Sequence, residues 1–234
     1  MHRRIVPSLV FLLMLLPTAA LAADDAPSLA RRGPQAEEFY RLHGEMNALL
    51  GELAGLQVKY RTADEEKRAE IQQHWKDLIT QGEKMEPNLI EAAQKAYAES
   101  PNADKDVTSY LVKLLAQKVH RDDYEPAAEI GKLLVENKCS EQRVPNLAGI
   151  ATFATSDFDA AEKYLGQAAK EGYYQSPPQD DKLAQIGEFY LQAVGGYKKA
   201  WAKEEAIRQR EAQADNLPRV LLKTNKGDIT IELF

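Results

Sequence analysis

Three histidines beyond the leader, His43, His74 and His120, and the single cysteine, Cys139, are the side chains best suited to metal ligation or nucleophilic chemistry. Their spacing supports neither. A helix holds a metal from one face when two histidines stand four residues apart, as in His-x-x-x-His or His-Glu-x-x-His, and no such pair occurs. The chain has no acidic loop with calcium-ligand spacing, no Gly-x-x-x-x-Gly-Lys phosphate loop, no Gly-x-Ser-x-Gly nucleophile elbow and no dinucleotide fingerprint. One cysteine can form no internal disulfide, Cys-rich zinc site or Cys-x-x-Cys redox pair. Cys139 follows a predicted helix end at Asn137-Lys138 with no base in the sequence to activate it, so it reads as a small apolar filler. No residue is therefore assigned a catalytic, cofactor-binding or metal-binding role.

The elements around these residues must then carry the function. The 234 residues are 44% hydrophobic and 28% charged, enough for one or two domains with a core. Lys and Arg number 30 against 36 Asp and Glu, so the net charge of −6 argues against a surface that attracts nucleic acid. Lys198, Lys199, Lys203, Arg208 and Arg210 could be a basic patch, but Glu204, Glu205 and Glu211 are interleaved with them. A solvated helix face braced by weak ion pairs is expected.

Residues 1–22 read as a signal peptide. His2, Arg3 and Arg4 form a positive start, Ile5 to Leu16 is apolar, and Ala20-Leu21-Ala22 offers a small-x-small cleavage site before Ala23. The apolar run is about 12 residues, short of the ~20 a membrane-spanning helix needs, so no permanent membrane span is expected. No cysteine follows to accept lipid, and the twin arginines lack further matching residues, so the general secretory route to a periplasm or the exterior is the default. Losing Arg3 and Arg4 and no acid would take the net charge from −6 to −8.

The body is expected to be mostly α. Phe39, Leu42, Met46, Leu49, Leu53, Leu56 and Tyr60 recur at spacings of three and four, one apolar stripe on a long helix. Thr62 and Glu65 have capping-box spacing for a second helix, striped by Ile71, Trp75, Leu78, Gly82 and Met85. Residues 35–86 thus form a long antiparallel helical hairpin whose stripes pack on each other. Pro87 suits the first turn of a third helix, which Ser100-Pro101-Asn102 ends, and Ile90, Ala93 and Tyr97 lie along it. Residues 87–215 are read as helical repeats with capping helices, broken by Gly172 to Pro178 and again at Gly195-Gly196. Leu183, Ile186, Phe189, Tyr190, Val194, Tyr197 and Trp201 mark the helix either side of the second break.

Asp123-Tyr124-Glu125-Pro126-Ala127 aligns with Asp157-Phe158-Asp159-Ala160-Ala161 at an offset of 34 residues, which also pairs Ile130 with Tyr164 and Leu134 with Ala168. Here the chain resembles the tetratricopeptide family, in which pairs of antiparallel helices stack. Asp157-Phe158 sits at that family's acidic-aromatic turn, Ala161 and Ala168 at its small helix-B positions and Gly149 at its small helix-A position. The earlier unit, Asp104 to Lys138, departs from the pattern by placing Leu115 and Leu134 where smaller groups are preferred. The resemblance covers about residues 104 to 172 and implies a possible protein partner on the repeats.

The period then becomes extended. Val220 to Thr224 and Ile229 to Phe234 are β-prone, and Asn225-Lys226-Gly227-Asp228 supplies a turn. A lone hairpin is marginal in water and leaves both edges open, so the chain is expected to be cut short of a further domain. Residues 219–234, with their Leu222-x-Thr224-x-x-Gly227-x-Ile229-x-Ile231-Glu232-Leu233-Phe234 word, resemble the opening hairpin of bacterial cyclophilin-type peptidyl-prolyl isomerases. That resemblance implies a truncated β-barrel that would bind clients containing X-Pro bonds and lower an isomerisation barrier of ~18–20 kcal/mol without a cofactor. The family's catalytic arginine lies in a downstream Phe-His-Arg word. Val119-His120-Arg121 looks similar but stands about a hundred residues too early and within a helical repeat, so it carries no catalytic role. The expectation is the amino-terminal portion of an exported prolyl isomerase, itself inactive; the alternative is a noncatalytic exported tetratricopeptide-like scaffold.

Overall fold

In the computed structural model, residues 33–175, 182–214 and 217–232 are described. The signal peptide, the Pro177-Pro178 break and the final Leu233-Phe234 lie outside them. The described residues form seven helices and one two-stranded antiparallel sheet: α1 (Pro34–Thr62), α2 (Glu65–Glu99), α3 (Lys105–His120), α4 (Tyr124–Glu136), α5 (Val144–Ala154), α6 (Phe158–Lys170), α7 (Lys182–Ala214), β1 (Arg219–Thr224) and β2 (Gly227–Glu232). The chain is mostly α with a β-hairpin, in two compact units that divide between Lys113 and Leu114, within α3.

In the first unit α1 and α2 pair antiparallel, with Glu52 meeting His74 (2.8 Å) and Tyr60 meeting Gln72 (2.9 Å) across them. The stripe residues Phe39, Leu42, Met46, Leu49, Leu53 and Leu56 are buried, as are Leu78 and Gly82 opposite. Two boundaries differ from the sequence reading. Asp64, not Thr62, caps α2: its carboxylate accepts from the Lys67 amide (3.0 Å), while the Thr62 hydroxyl donates back to the Lys59 carbonyl (3.3 Å). A carboxylate next to the first turn gains from the helix dipole as well as the hydrogen bond. Nor does a third helix begin at Pro87, which lies inside α2. A proline there forfeits a hydrogen bond and costs about 3 kcal/mol. Leu78, Ile79 and Gly82 before it and Leu89, Ala92, Ala93, Ala96 and Tyr97 after it are all buried, and that packing carries the helix through. Asp104 then starts α3, accepting from the Asp106 and Val107 amides and from the Tyr40 hydroxyl (2.9 Å).

In the second unit the 34-residue offset is written into the backbone. Asp122 and Ser156 take positive φ (57° and 65°), and so do Lys138 and Gly172 (56° and 79°), each pair 34 positions apart. Each ends a helix with the same bond from the following amide to a carbonyl five residues back: Asp123 to Lys118 and Cys139 to Leu134 in the first repeat, Asp157 to Thr152 and Tyr173 to Ala168 in the second, at 2.9–3.0 Å. These are left-handed helix stops, three of four made without the glycine that would adopt them freely. Ala127, Ile130 and Leu134 are fully buried, and so are their counterparts Ala161 and Ala168, with Tyr164 nearly so.

The departure at Leu115 has a structural answer. A Cβ on Gly149 of α5 would stand 2.5 Å from the Leu165 side chain of α6. In the first repeat the same two positions are Leu115 and Gly131, with Leu115 3.6 Å from where a Gly131 Cβ would be. The large and small partners have changed places, which conserves volume where the two helices meet. Gly131 serves a second contact, since its Cβ would fall 2.7 Å from the Ala148 Cβ of α5. α7 closes the array on α5 and α6, burying Val194 against Phe158, Ala161 and Leu165 and Ala184 against Ala168 and Tyr173. It runs unbroken through Gly195-Gly196, where the sequence suggested a breakpoint. Two glycines cost a helix about 1 kcal/mol each, and the anchors on either side, Val194 and the Lys198 ammonium paired with Asp159 and Glu162 of α6, hold it.

Gly149→Ala is expected to destabilise by ~1–3 kcal/mol through overpacking. The same change made in a Leu165→Ala background should cost far less, a coupling of ~0.5–3 kcal/mol in a double-mutant cycle followed by urea denaturation. Gly166→Ala on α6, with nothing within 4 Å of its Cβ, is the control and should be neutral or mildly stabilising. Additive losses at Gly149 and Leu165 would refute the size-swap account.

Candidate functional site

The second unit contains a groove of about 360 Å³ where the α3–α4 corner faces α5 and the first turns of α7. Its walls are Val119, Ile150, Leu183 and Ile186 with the rings of Tyr124 and Tyr190, and its rim is His120, Asp122 and Lys182. The left-handed Asp122 turns the chain sharply between α3 and α4, so His120 and Tyr124 come to one side. The Tyr124 hydroxyl donates to the Asp122 carboxylate at 2.5 Å. That bond, with partial burial and the negative charge beside it, pushes the Tyr124 pKa up to about 12, so the phenol stays protonated. His120 donates its Nδ1 hydrogen to the Ala116 carbonyl (2.7 Å), leaving Nε2 as the ring's other polar atom. Tyr190 is fixed by a parallel stack on Phe153, centroids 4.1 Å apart.

The opposite wall is set by a buried asparagine that sequence reasoning missed. Asn146 of α5 is fully buried, donates from Nδ2 to the Leu183 carbonyl (3.1 Å) and accepts at Oδ1 from the Tyr174 hydroxyl (2.9 Å). Gly187 lies directly over it, where a Cβ would fall 1.8 Å from Oδ1. A buried amide must satisfy its polar atoms, so it dictates where the first turns of α7 sit and thereby where Lys182, Leu183 and Ile186 face the groove.

The residues singled out by type are dispersed. His43 lies in the first unit, stacked on Phe39 (5.2 Å) and edge-on to Tyr110 (5.8 Å). His74 pairs with Glu52 on an exposed face, and Cys139 is partly buried just past the α4 stop. His120, with Val119 from the word discounted on sequence grounds, lines the groove. Among the described residues no three His, Cys, Asp or Glu side chains converge as metal ligands, and no helix is long and apolar enough to cross a membrane. Of the basic residues on α7, Lys198 bonds across to α6, while Arg208 pairs with Glu204 (2.9 Å) and lies over the Trp201 ring (5.4 Å).

The hairpin offers a second surface. Thr224 locks its turn: the hydroxyl donates to the Gly227 carbonyl (2.6 Å) and accepts from the Lys226 amide (3.1 Å), while Gly227 takes φ 126°, a conformation that side chains disfavour. This is the physical reason for the Thr-x-x-Gly spacing. The register pairs Val220 with Ile231 and Leu222 with Ile229, so these four share one face, each at least 41% exposed. The other face is predominantly polar, with Arg219 bonded to Glu232 (2.8 Å) and Lys223 opposite Asp228.

Comparison of the chain with protein families, with curated proteins and with solved structures gives no match.

Two measurements bear on these sites. Asn146→Ala should lower stability by ~1–3 kcal/mol, since it strips the partly buried Tyr174 hydroxyl of its acceptor, and should speed amide exchange in the first turns of α7. Unchanged exchange there would show that Asn146 does not set the groove wall. For His43, burial holds the pKa below its ordinary 6.5, outweighing the pull of Asp106 in the other direction, with Lys113 adding to the fall. The unfolded chain therefore takes up this proton at higher pH than the folded one. Its contribution to stability is complete above 6.5 and is lost as pH falls from there through the lowered folded value. The drop in urea midpoint between about pH 7.5 and 5.5 should be smaller in His43→Gln than in the parent. An equal drop would place the titration elsewhere.

Proposed function

We propose that this chain is the amino-terminal portion of an exported peptidyl-prolyl isomerase of the cyclophilin type, in which tetratricopeptide-like helical repeats hold protein clients or partners and a β-barrel begun by β1 and β2 performs the isomerisation. The observation that carries this reading is the hairpin: a Thr224-locked turn and a register that puts Val220, Leu222, Ile229 and Ile231 on one exposed face. Two strands alone are marginal in water, and such a face gains its stability by packing in a larger sheet. The word 219–234 resembles cyclophilins in turn chemistry and strand alternation at once. The left-handed helix stops at a 34-residue offset support the repeat half of the proposal. Export rests on the sequence of residues 1–22.

A prolyl isomerase of this kind needs no cofactor. It holds an X-Pro segment where the twisted amide of the transition state is favoured over the planar ground state. No residue of the described chain is given that task. A second reading, a noncatalytic exported scaffold, draws support from the groove in the second unit, which is built without help from the hairpin.

The test is a proline-limited refolding assay on the intact product of the coding region and on residues 23–234. Acceleration is expected from the first and none from the second. A coding region that stops at codon 234, or an intact product that leaves the slow phase unchanged, would overturn the isomerase assignment and leave the scaffold.

A further inference from the structure

We infer that the groove between the α3–α4 corner and α7 receives an apolar side chain of an unfolded, acid-bearing polypeptide, with a neighbouring carboxylate of that polypeptide on Lys182. The choice of a client as occupant rests on the proposed function, whereas the groove itself does not.

Size, lining and charge each narrow the occupant. A cavity of about 360 Å³ sits at the lower end of those that take small ligands, ~300–1,000 Å³, and is large enough for one bulky side chain and the backbone that carries it. Four aliphatic side chains and two tyrosine rings line it, so an apolar group gains by leaving water there. Ile186 is 38% exposed on the wall, whereas Ala184 and Val194 of the same helix are buried.

The polar rim is asymmetric. Asp122 is its one carboxylate among the described residues, and the Tyr124 hydroxyl already occupies it. Lys182, exposed at the start of α7, has no ion pair among the described residues. His120 has spent Nδ1 on the Ala116 carbonyl. Among the described residues the rim is thus left with a cation that has no ion pair and a partly satisfied anion, and a carboxylate is the group that complements it. Exposed pairs of this kind contribute little affinity but select among partners, which suits a site that must accept many sequences. The apolar walls would then supply most of the binding and Lys182 the preference.

The decisive experiment titrates the full chain into fluorescein-labelled, reduced and carboxymethylated α-lactalbumin, a permanently unfolded acidic polypeptide, and follows anisotropy. Ile186→Glu should weaken binding at least about tenfold, the scale of a truncated hot spot, and Lys182→Glu roughly threefold to fivefold. Phe189→Glu, on the same helix and 61% exposed but outside the groove, should stay within about twofold of the parent. All three sites are exposed, so folding is expected to persist, and far-UV circular dichroism on each variant checks it.

Three results would overturn the inference: a parent chain that does not bind the probe, binding that Ile186→Glu and Lys182→Glu leave intact, or an equal loss in Phe189→Glu. A concentration-dependent dimer abolished by Ile186→Glu would also overturn it, because the groove would then belong to a second copy. Groove-dependent binding without isomerase activity in the intact gene product would remove the enzyme reading and keep the site; isomerase activity with groove-independent binding would do the reverse.

Discussion

The helical packing of the second unit depends on how closely α5 can be approached. Nine consecutive residues of this helix, Val144 to Thr152, are buried, so it has no solvent face and must be contacted on every side. A helix apolar all round belongs at the centre of a structure. The approach is possible because one partner in each contact is a glycine: Gly131 of α4 against Ala148, Gly149 of α5 itself against Leu165 of α6, and Gly187 of α7 against Asn146. Protein interiors are packed to crystal density, so each of these contacts fixes a helix position to within a methyl group.

Much of that arrangement is legible in the sequence, because a repeat displays its own period. The aromatic and small residues at a 34-residue offset locate α4 and α6, and the apolar stripes locate α1 and α2. What the pattern cannot reveal is compensation. Leu115 looks like a defect until Gly131 is seen opposite, since the repair lies on another helix. Pro87 and Gly195-Gly196 misled for a related reason: local punctuation argues for a break, yet burial on both sides outweighs a few kcal/mol of unfavourable propensity. The groove was out of reach for a different reason again. Its lining comes from three separate stretches of chain, and the residue that sets one wall, Asn146, is an asparagine within an apolar run with nothing in its immediate sequence to mark it.

The groove and the hairpin face differ in kind. The groove is concave, rimmed by polar groups, and built on helices that are stable by their other contacts. The hairpin face is made of four side chains carried by two paired strands, with a locked turn at one end and an Arg219–Glu232 pair at the other. An exposed ion pair is worth at most about 1 kcal/mol, so this one adds little to the ribbon's stability.

The seventh helix divides accordingly. Its buried residues, Ala184, Gly187 and Val194, all fall in the first half, where it closes the repeats and walls the groove. Beyond Trp201 it is exposed nearly all round and is braced by its own side chains, Arg208 bonding to Glu204 and lying over Trp201. Polar helices of this sort persist through pairs three or four residues apart and serve as spacers. One helix thus does two jobs by composition alone: glycine and alanine where it must nest against α5 and α6, alternating charge where it stands in water. The charged stretch that first reads as a basic patch is better understood as the part of the helix that has nothing to bury.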